Sequence, residues 1–352
     1  MRAPAALVAA AAATAGELGP GLAMPVAGAR AVAEASRRRL AHLLAGDGFL
    51  IDEFEAAPGA AAGLVALRPG AGGGRSLGVL AWTGGVLADG AAFTRLAVLG
   101  RALARSGLVL AGDLLLQALP GDAPADELAA VAERGYRADG TLVVSAQAGP
   151  ITVGHAGHAG LGVTVYGKPA PAAREWFGIS AVTKMLALMA GIGSRLPVGV
   201  QGPVPTAVRG GEWMGNVPNR CDARFHVTFD APLSLGAARG AVAAALREIA
   251  EGDDWLRQRP PEVRWDGLAV EPVAGEADGP LAAALGRAFA DACGADVTAS
   301  RSPACLFLGQ VPAGEAVATS LAVGTSGAEG PAATDARVLA SVAADWCGRA
   351  GG

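Results

Sequence analysis

Histidines are the first side chains of this sequence to consider for chemistry, because an imidazole can bind a metal or transfer a proton near neutral pH. The chain has four: His42, His155, His158 and His226. His155 and His158 are three residues apart in GHAGHAG, a spacing that could suit a metal. A flexible glycine-rich segment makes a poor preorganised site, however, so we interpret this pair as solvated.

No nucleophile in the sequence has the partners that covalent catalysis requires. A serine nucleophile needs a histidine base and an orienting acid, and the sequence contains no Gly-x-Ser-x-Gly turn. Cys221 and Cys305 have no identifiable histidine partner. The cysteines (221, 293, 305 and 347) are scattered without a CxxC pair, which favours reduced thiols in a cytoplasmic protein. The glycine-rich GAGGGRS (70–76) precedes a strand, the wrong side for a phosphate site at a helix N-terminus.

The stretch Arg75–Gly107 is the element around which a site can be built. Leu77–Trp82 is an unbroken apolar run of strand length, typical of a strand buried on both faces of a sheet. Apolar residues then recur at helical spacing, with Asp89 placed to cap the helix and Gly107 to close it. A strand that turns into a helix puts its loop at the carboxyl edge of the sheet, where ligands bind in open α/β folds.

The remaining chain alternates strands and helices in a pattern that predicts two domains. Residues 1–157 and 268–352 read as an α/β domain with a mostly parallel sheet flanked by helices. In its last part we expect strands at ACLFLG (304–309) and TSLAVG (319–324). Residues 158–267 read β-α-β-β-α-β, the split ferredoxin-like order of a compact inserted domain.

Composition excludes several classes of partner. The net charge of -4 gives no electrostatic footprint for nucleic acid or anionic lipid. No apolar run reaches the roughly 18 residues needed to span a bilayer, so we expect no membrane contact. The opening MRAPAALVAAAAATAGELG superficially resembles a signal peptide, but a helical pattern resumes at Ala29, and we interpret the segment as a first helix.

Several motifs carry a resemblance to a known family. The most specific is GGEWMGNVPNRC (210–221), which resembles a GGxxxNxVPDxC strand-turn-strand motif. LVLAGDLLLQ, ERGYRADGTLVV, GHAGHAGLGVTVYGKPAPA and the closing WCG add further matches. Together they resemble the zinc aminoacylase and carboxypeptidase family, which includes acetylornithine deacetylase and succinyl-diaminopimelate desuccinylase. The resemblance implies a zinc-peptidase-like sheet, an inserted dimerisation domain, and a homodimer formed through residues from about 160 to 265.

The resemblance also implies two zinc or cobalt ions and a glutamate that activates water. Asp89 falls on the family's bridging aspartate, Asp122 on the second residue of its Glu-Glu pair, and Glu329 near its C-terminal histidine. The remaining positions carry residues that do not bind zinc: Trp82 and Gly84, Gly121, Ala146 and Pro171. The motif's asparagine falls on Gly215, with Asn216 beside it. We therefore predict neither a metal site nor a bound cofactor.

The candidates also have purely structural interpretations. Asp89 reads as a helix cap, Asp122 as the turn residue of Pro-Gly-Asp, and Thr334-Asp335 as the N-cap of the last helix. Trp82 reads as an apolar filling of the emptied metal pocket, worth about 2 to 3 kcal/mol of burial.

Two functional hypotheses from different classes remain. One is a metal-free pseudoenzyme that binds a small amino-acid-derived ligand or a partner protein, with Trp82, His155 and Asn216 as candidate ligand contacts. His155 coincides with a family histidine that is not itself a zinc ligand. The other is a surviving amidohydrolase, deacylase or acyl-transfer enzyme acting on N-acyl amino acids through a rebuilt site. Its catalytic carboxylates would be Asp89, Asp122 and Glu329.

Overall fold

The structure is a computed structural model of the chain. It describes residues 30–83, 91–145, 148–304, 306–321 and 331–350, together with residues 6, 9, 10, 13 and 14. The chain divides into two compact units, Met1–Gly154 with Gly275–Gly352 and His155–Ala274, which we call the large unit and the small unit. The domain boundaries that the sequence predicts, at 157/158 and 267/268, stay predictions.

Helices and strands alternate along most of the chain. The helices are α1 (Arg30–Gly46), α2 (Ala92–Ser106), α3 (Pro124–Glu133), α4 (Ala181–Ile192), α5 (Leu235–Glu251), α6 (Asp254–Gln258), α7 (Pro280–Cys293) and α8 (Pro331–Cys347). The strands are β1 (Leu50–Glu55), β2 (Ala62–Arg68), β3 (Leu77–Trp82), β4 (Leu114–Leu119), β5 (Gly140–Val144), β6 (Thr152–His155), β7 (Gly157–Tyr166), β8 (Val200–Gly210), β9 (Arg220–Phe229), β10 (Glu262–Val270), β11 (Ser300–Ser302) and β12 (Glu315–Thr319).

An eight-stranded sheet forms the large unit, in the order β1-β2-β4-β3-β5-β12-β6-β11. The central strands β4, β3, β5 and β12 are parallel to one another, whereas β1, β2 and β6 pair antiparallel with their neighbours. Every residue of β3, β4 and β5 is buried, which explains their unbroken apolar sequences. Helices α1, α2, α7 and α8 contribute to the same core cluster as the sheet.

Helix α2 follows β3, as the sequence predicts, and ends at Gly107 in the left-handed conformation (φ 67°). Its start differs from the prediction. Ala91 occupies the N-cap position without a side-chain cap, so Asp89, which lies outside the described residues, is not at the position of the cap. The packed apolar face of α2 stabilises the helix without a side-chain cap.

The small unit is a four-stranded antiparallel sheet in the order β10-β7-β9-β8. Alternate residues of β7 and β9, including Leu161, Val163 and Phe225, share a core with helices α4 and α5. The order β7-α4-β8-β9-α5-β10 is the predicted split ferredoxin-like layout. The α/β class with its mostly parallel sheet and inserted domain is therefore confirmed.

Some predictions in the C-terminal part are wrong. ACLFLG contains no strand among its described residues but a single 3-10 turn, Leu308–Gln310. Strand β12 is formed by Glu315–Thr319 and ends at the first residue of TSLAVG, of which residues 322–324 lie outside the described residues. Thr334-Asp335 is not an N-cap either, because α8 already begins at Pro331.

Among the described residues, no helix has the length and apolar character needed to cross a membrane.

Candidate functional site at the carboxyl edge of the large sheet

Four parallel strands end at one edge of the large sheet, the place that the sequence assigns to a site. Trp82 ends β3 and pairs with Leu119 at the end of β4. Val144 at the end of β5 pairs with Thr319 at the end of β12. The described residues that follow these strands are apolar, hydroxyl-bearing or part of turns.

Trp82 is buried at this edge, with 1% of its surface exposed. Its ring packs against Phe307 at a centroid distance of 6.2 Å and an angle of 60°. The indole N–H is buried and has no hydrogen-bond partner among the described residues. Trp82, which the sequence predicts as a ligand contact, is thus enclosed by the protein. Such burial is expected from the alternative interpretation, in which Trp82 packs in the core.

The backbone near Trp82 adopts a conformation that L-residues rarely take. Phe307 and Leu321 both have φ of 55°. The N–H of Leu321 donates to the Thr319 Oγ1 at 3.1 Å, which holds the chain just after β12. Left-handed non-glycine residues cost roughly 1 to 3 kcal/mol each and cluster at functional sites. This edge therefore has local backbone strain at Phe307 and Leu321.

Glu127 organises the turn in which the sequence places Asp122. From the first turn of α3 its carboxylate accepts the N–H groups of Gly121, Asp122 and Ala123 at 2.8, 3.1 and 3.1 Å. This arrangement resembles the backward contact of a capping box. Burial raises the pKa of the Glu127 carboxyl, whereas the three N–H groups act in the opposite direction. Asp122 itself is exposed and contributes its backbone to this turn.

An ion pair joins the first turns of two helices that follow parallel strands. The Arg95 Nε of α2 lies 2.7 Å from the Asp335 Oδ2 of α8, and both side chains are largely buried. Burial raises the pKa of Asp335, and the Arg95 charge opposes that shift. The pair ties together the two helices whose N-termini face the carboxyl edge.

The described residues of this edge do not fit the zinc pair that the resemblance implies. An indole N–H and backbone N–H groups are donors, and zinc requires imidazole nitrogen, thiolate or carboxylate oxygen. The one buried carboxylate of the β4–α3 turn, Glu127, already accepts three N–H groups. Across the described chain, no three His, Cys, Asp or Glu side chains are grouped so that they could hold a metal ion. Asp89 and Glu329 lie outside the described residues.

His155 and His158 are buried, so the interpretation of this pair as solvated is wrong. His155 is fully buried, and its Nδ1 donates to the Ala156 carbonyl at 2.7 Å. The His158 Nδ1 lies 2.8 Å from the His226 Nε2, so one ring donates to the other. His158 therefore pairs with a histidine of the neighbouring strand β9 rather than with His155.

Asn216 lies on an exposed loop that meets Pro171. The two residues form an isolated antiparallel bridge, and the N–H of Ala172 donates to the Gly215 carbonyl at 2.8 Å. The structure thus brings together the positions that the resemblance assigns to a histidine and an asparagine. Four large apolar side chains on these segments are exposed, and we call them the apolar tip: Trp176, Phe177, Trp213 and Met214.

Sequence reasoning missed Glu127 and Arg95, and it assigned Asp335 to a helix cap and not to an ion pair. Glu127 had a local signal, because it is the buried carboxylate nearest to the Pro-Gly-Asp turn and can reach back to it. The Arg95–Asp335 pair joins residues 240 positions apart in the chain, and no local pattern reports such a contact.

Comparison with known proteins agrees with the geometry. Residues 153–254 match the family described as "Peptidase dimerisation domain". No curated protein sequence matches significantly. Aminopeptidase PepT from Bacillus cereus is similar in structure, with a TM-score of 0.66, 13% identity, and coverage of 87% of this chain and 91% of that one.

Two further solved structures have the same fold. The dipeptidase Dug1p from Saccharomyces cerevisiae has a TM-score of 0.72 at 8% identity, covering 97% of this chain and 98% of that one. An amidase of the hydantoinase/carbamoylase family from Burkholderia multivorans has a TM-score of 0.64 at 14% identity, covering 98% of each chain. At these identities the similarity shows the fold, and the family match covers the inserted domain. This is the fold that the resemblance to the zinc aminoacylase and carboxypeptidase family implies.

Proposed function

We propose that this chain is a catalytically degenerate, metal-free relative of acetylornithine deacetylase-type metallohydrolases. In this role it binds a small amino-acid-derived ligand or a partner protein. The observation that carries the proposal is Trp82, an indole buried at the edge where the resemblance places the first zinc ligand. Loss of ligands and of the glutamate base removes both the Lewis acid and the proton acceptor.

Hydrolysis assays test this proposal. N-acetyl-L-ornithine, N-succinyl-diaminopimelate and a panel of other N-acyl amino acids are incubated with the protein, with and without added zinc or cobalt. We expect no hydrolysis above a protein-free control that contains the same metal. Metal-dependent turnover abolished by Asp122→Asn and retained in Asp126→Asn, an exposed aspartate at the start of α3, would establish the rebuilt enzyme instead.

The apolar tip supports a binding role. Trp176 is 72% exposed and Met214 is 93% exposed, and exposed apolar patches mark interaction or ligand sites. Asn216 lies on the same loop and supplies an amide that can donate and accept hydrogen bonds. If the tip binds the ligand, N-acetyl-L-ornithine should change the tryptophan fluorescence of the protein. Trp213→Phe should remove that change, whereas Trp265→Phe, in β10, should retain it.

We further propose a cytoplasmic homodimer formed through the small unit. Strand β8 is an edge strand, and its Val204 and Val208 are exposed, an arrangement that proteins normally cover. The described cysteines, Cys221, Cys293 and Cys347, are free thiols, as expected in a reducing compartment.

Light scattering at micromolar concentration tests the dimer. We expect Val208→Glu to produce monomers and Val198→Glu, at a fully exposed valine outside β8, to leave the dimer intact. A monomeric unmodified protein would refute this assembly.

A further inference from the structure

One face of the small-unit sheet is not covered by helices and carries a row of residues across all four strands. Arg264 of β10 pairs with Gly162 of β7, Gly162 pairs with Arg224 of β9, and Arg224 pairs with Ala207 of β8. Leu161 and Val163, the neighbours of Gly162, belong to the core under α4 and α5, so this row points to the opposite face. Two long cationic side chains thus flank a residue that has no side chain.

Gly162 leaves room at the centre of this row. A Cβ added there would meet its nearest atoms, the Arg264 carbonyl oxygen and the Asp266 Oδ2, at 3.8 and 3.9 Å, which are ordinary contact distances. Two strand spacings separate Arg224 from Arg264, about 10 Å between Cα atoms. Guanidinium groups at that separation can reach one small molecule lying over the glycine.

The face is concave along this row. A depression of about 510 Å³ is lined by Ala207, Arg209, Asp222, Arg224 and Arg264. Pockets of roughly 300 to 1,000 Å³ are those that bind small molecules. The lining is unusual because three of its five residues are arginines.

The lining of this depression carries three arginines and one carboxylate, that of Asp222. The carboxylate of Asp222 is held by Arg220 at 2.8 and 2.9 Å and by the Thr164 hydroxyl at 2.7 Å. These hydrogen bonds, together with the Arg220 and Arg264 charges, lower the pKa of Asp222, so it stays ionised and partly offsets the charge of Arg264. Glu262 lies on the same face beside Arg220 and adds to its stabilisation.

Arg209, Arg224 and Arg264 share this face with a further carboxylate, Asp266, whose Oδ2 lies 3.9 Å from a Cβ placed on Gly162 at the centre of the row. In the part of the chain that the structure describes, none of these three guanidinium groups forms an ion pair. Like charges brought together on one face repel each other unless an anion neutralises them. Guanidinium groups match carboxylate and phosphate oxygens in bidentate geometry.

We propose that this depression, which we call the arginine trough, binds a small dianion through carboxylate or phosphate oxygens. Arg224 and Arg264 contact the anion from either side of Gly162, and Arg209 contacts it from the end of β8. This site is in the small unit and does not depend on the metal chemistry of the large unit, so it goes beyond the proposed function.

Isothermal titration calorimetry of the full-length protein tests the trough with two probes, inorganic phosphate and succinate, at an ionic strength fixed with sodium chloride. We expect saturable binding of one probe molecule per chain for at least one of the two. A preference for phosphate identifies a phosphate ester as the ligand class, and a preference for succinate identifies a dicarboxylate. Heats no larger than those of matched sodium chloride for both probes would overturn the proposal.

Variants separate a built site from general charge attraction. Arg224→Gln and Arg264→Gln should each weaken binding by about tenfold or more, because each removes a charge-assisted contact. Arg257→Gln is the matched control, because Arg257 is an exposed arginine of the same unit that pairs with Asp254 at 2.6 Å. Equal weakening by all three variants would show nonspecific attraction and overturn the proposal.

Gly162→Val tests the floor without removing charge. A β-branched residue suits a strand, so this variant should unfold at an unchanged or higher temperature. Its side chain fills the trough, and binding should weaken by about tenfold or more while folding is preserved. Undiminished binding in a folded Gly162→Val protein would also refute the trough.

Discussion

Replacing Trp82 by alanine tests whether the indole fills the space of the missing metal site. The side chain is 1% exposed and packs against Phe307, so its removal leaves a cavity at the sheet edge. Truncation of a buried tryptophan costs about 3 to 5 kcal/mol. The variant also removes an indole N–H that is buried and has no partner among the described residues. Removing this group should lower the cost of the truncation by about 1 kcal/mol, because its burial was unfavourable. We therefore expect a net loss near the lower end, about 3 kcal/mol.

Urea unfolding followed by far-ultraviolet circular dichroism measures this loss, since that signal does not depend on tryptophan emission. If the two units unfold in separate transitions, the loss should fall on that of the large unit. Trp176→Ala is the control, because Trp176 is 72% exposed and its removal should change stability by less than about 0.5 kcal/mol. An equally small change for Trp82→Ala would refute the filling role.

Three further predictions concern groups whose charge the fold controls. Asp335→Ala should cost about 1.5 to 3 kcal/mol because it removes a charge-assisted hydrogen bond between two largely buried side chains, and the double variant Arg95→Met/Asp335→Leu should recover most of that loss in urea unfolding. Burial raises the pKa of the Cys347 thiol to about 12, so a thiol reagent at pH 8 should modify Cys347 only after denaturation. The stability that this thiol contributes is fully present below its ordinary pKa of 9.0 and is lost as the pH rises toward 12. Hydrogen bonds from the Ser76 N–H and hydroxyl lower the pKa of Asp139. The stability that Asp139 contributes is therefore present above the ordinary pKa of 3.8 and is lost as the pH falls through the lowered pKa. Asp139→Asn should flatten the acid limb of a profile of unfolding temperature against pH, and an unchanged limb would contradict this.

The fold could be predicted from sequence where one local pattern determines one structure. The runs in β3, β4 and β5 are apolar because both of their faces are covered, and Gly107 ends α2 because a left-handed residue is required there. The apolar ACLFLG misled the prediction because burial alone does not distinguish a strand from a packed turn.

The histidine pair shows a different limit. Its glycine-rich segment reads as flexible, yet it forms β7, where a Cβ on Gly157 would lie 2.4 Å from the Phe229 ring. The glycine at this position therefore permits close packing with β9, and burial of His158 follows from that packing. Sequence spacing does not reveal which distant ring fills the space above a glycine. The strand-turn-helix pattern was enough to place the candidate site at the carboxyl edge of the sheet. The contacts of Glu127 and of the Arg95–Asp335 pair could be identified only from the tertiary structure.

The metal content of the purified protein tests the central proposal most directly. The full-length protein is dialysed against metal-free buffer, and zinc and cobalt are measured per chain by inductively coupled plasma mass spectrometry. Because the positions that the resemblance assigns to zinc ligands include Trp82 and Ala146, we expect well under one metal ion per chain, in line with the ligand requirements of zinc. Retention of about two ions per chain, the number that the resemblance implies, would contradict the metal-free account.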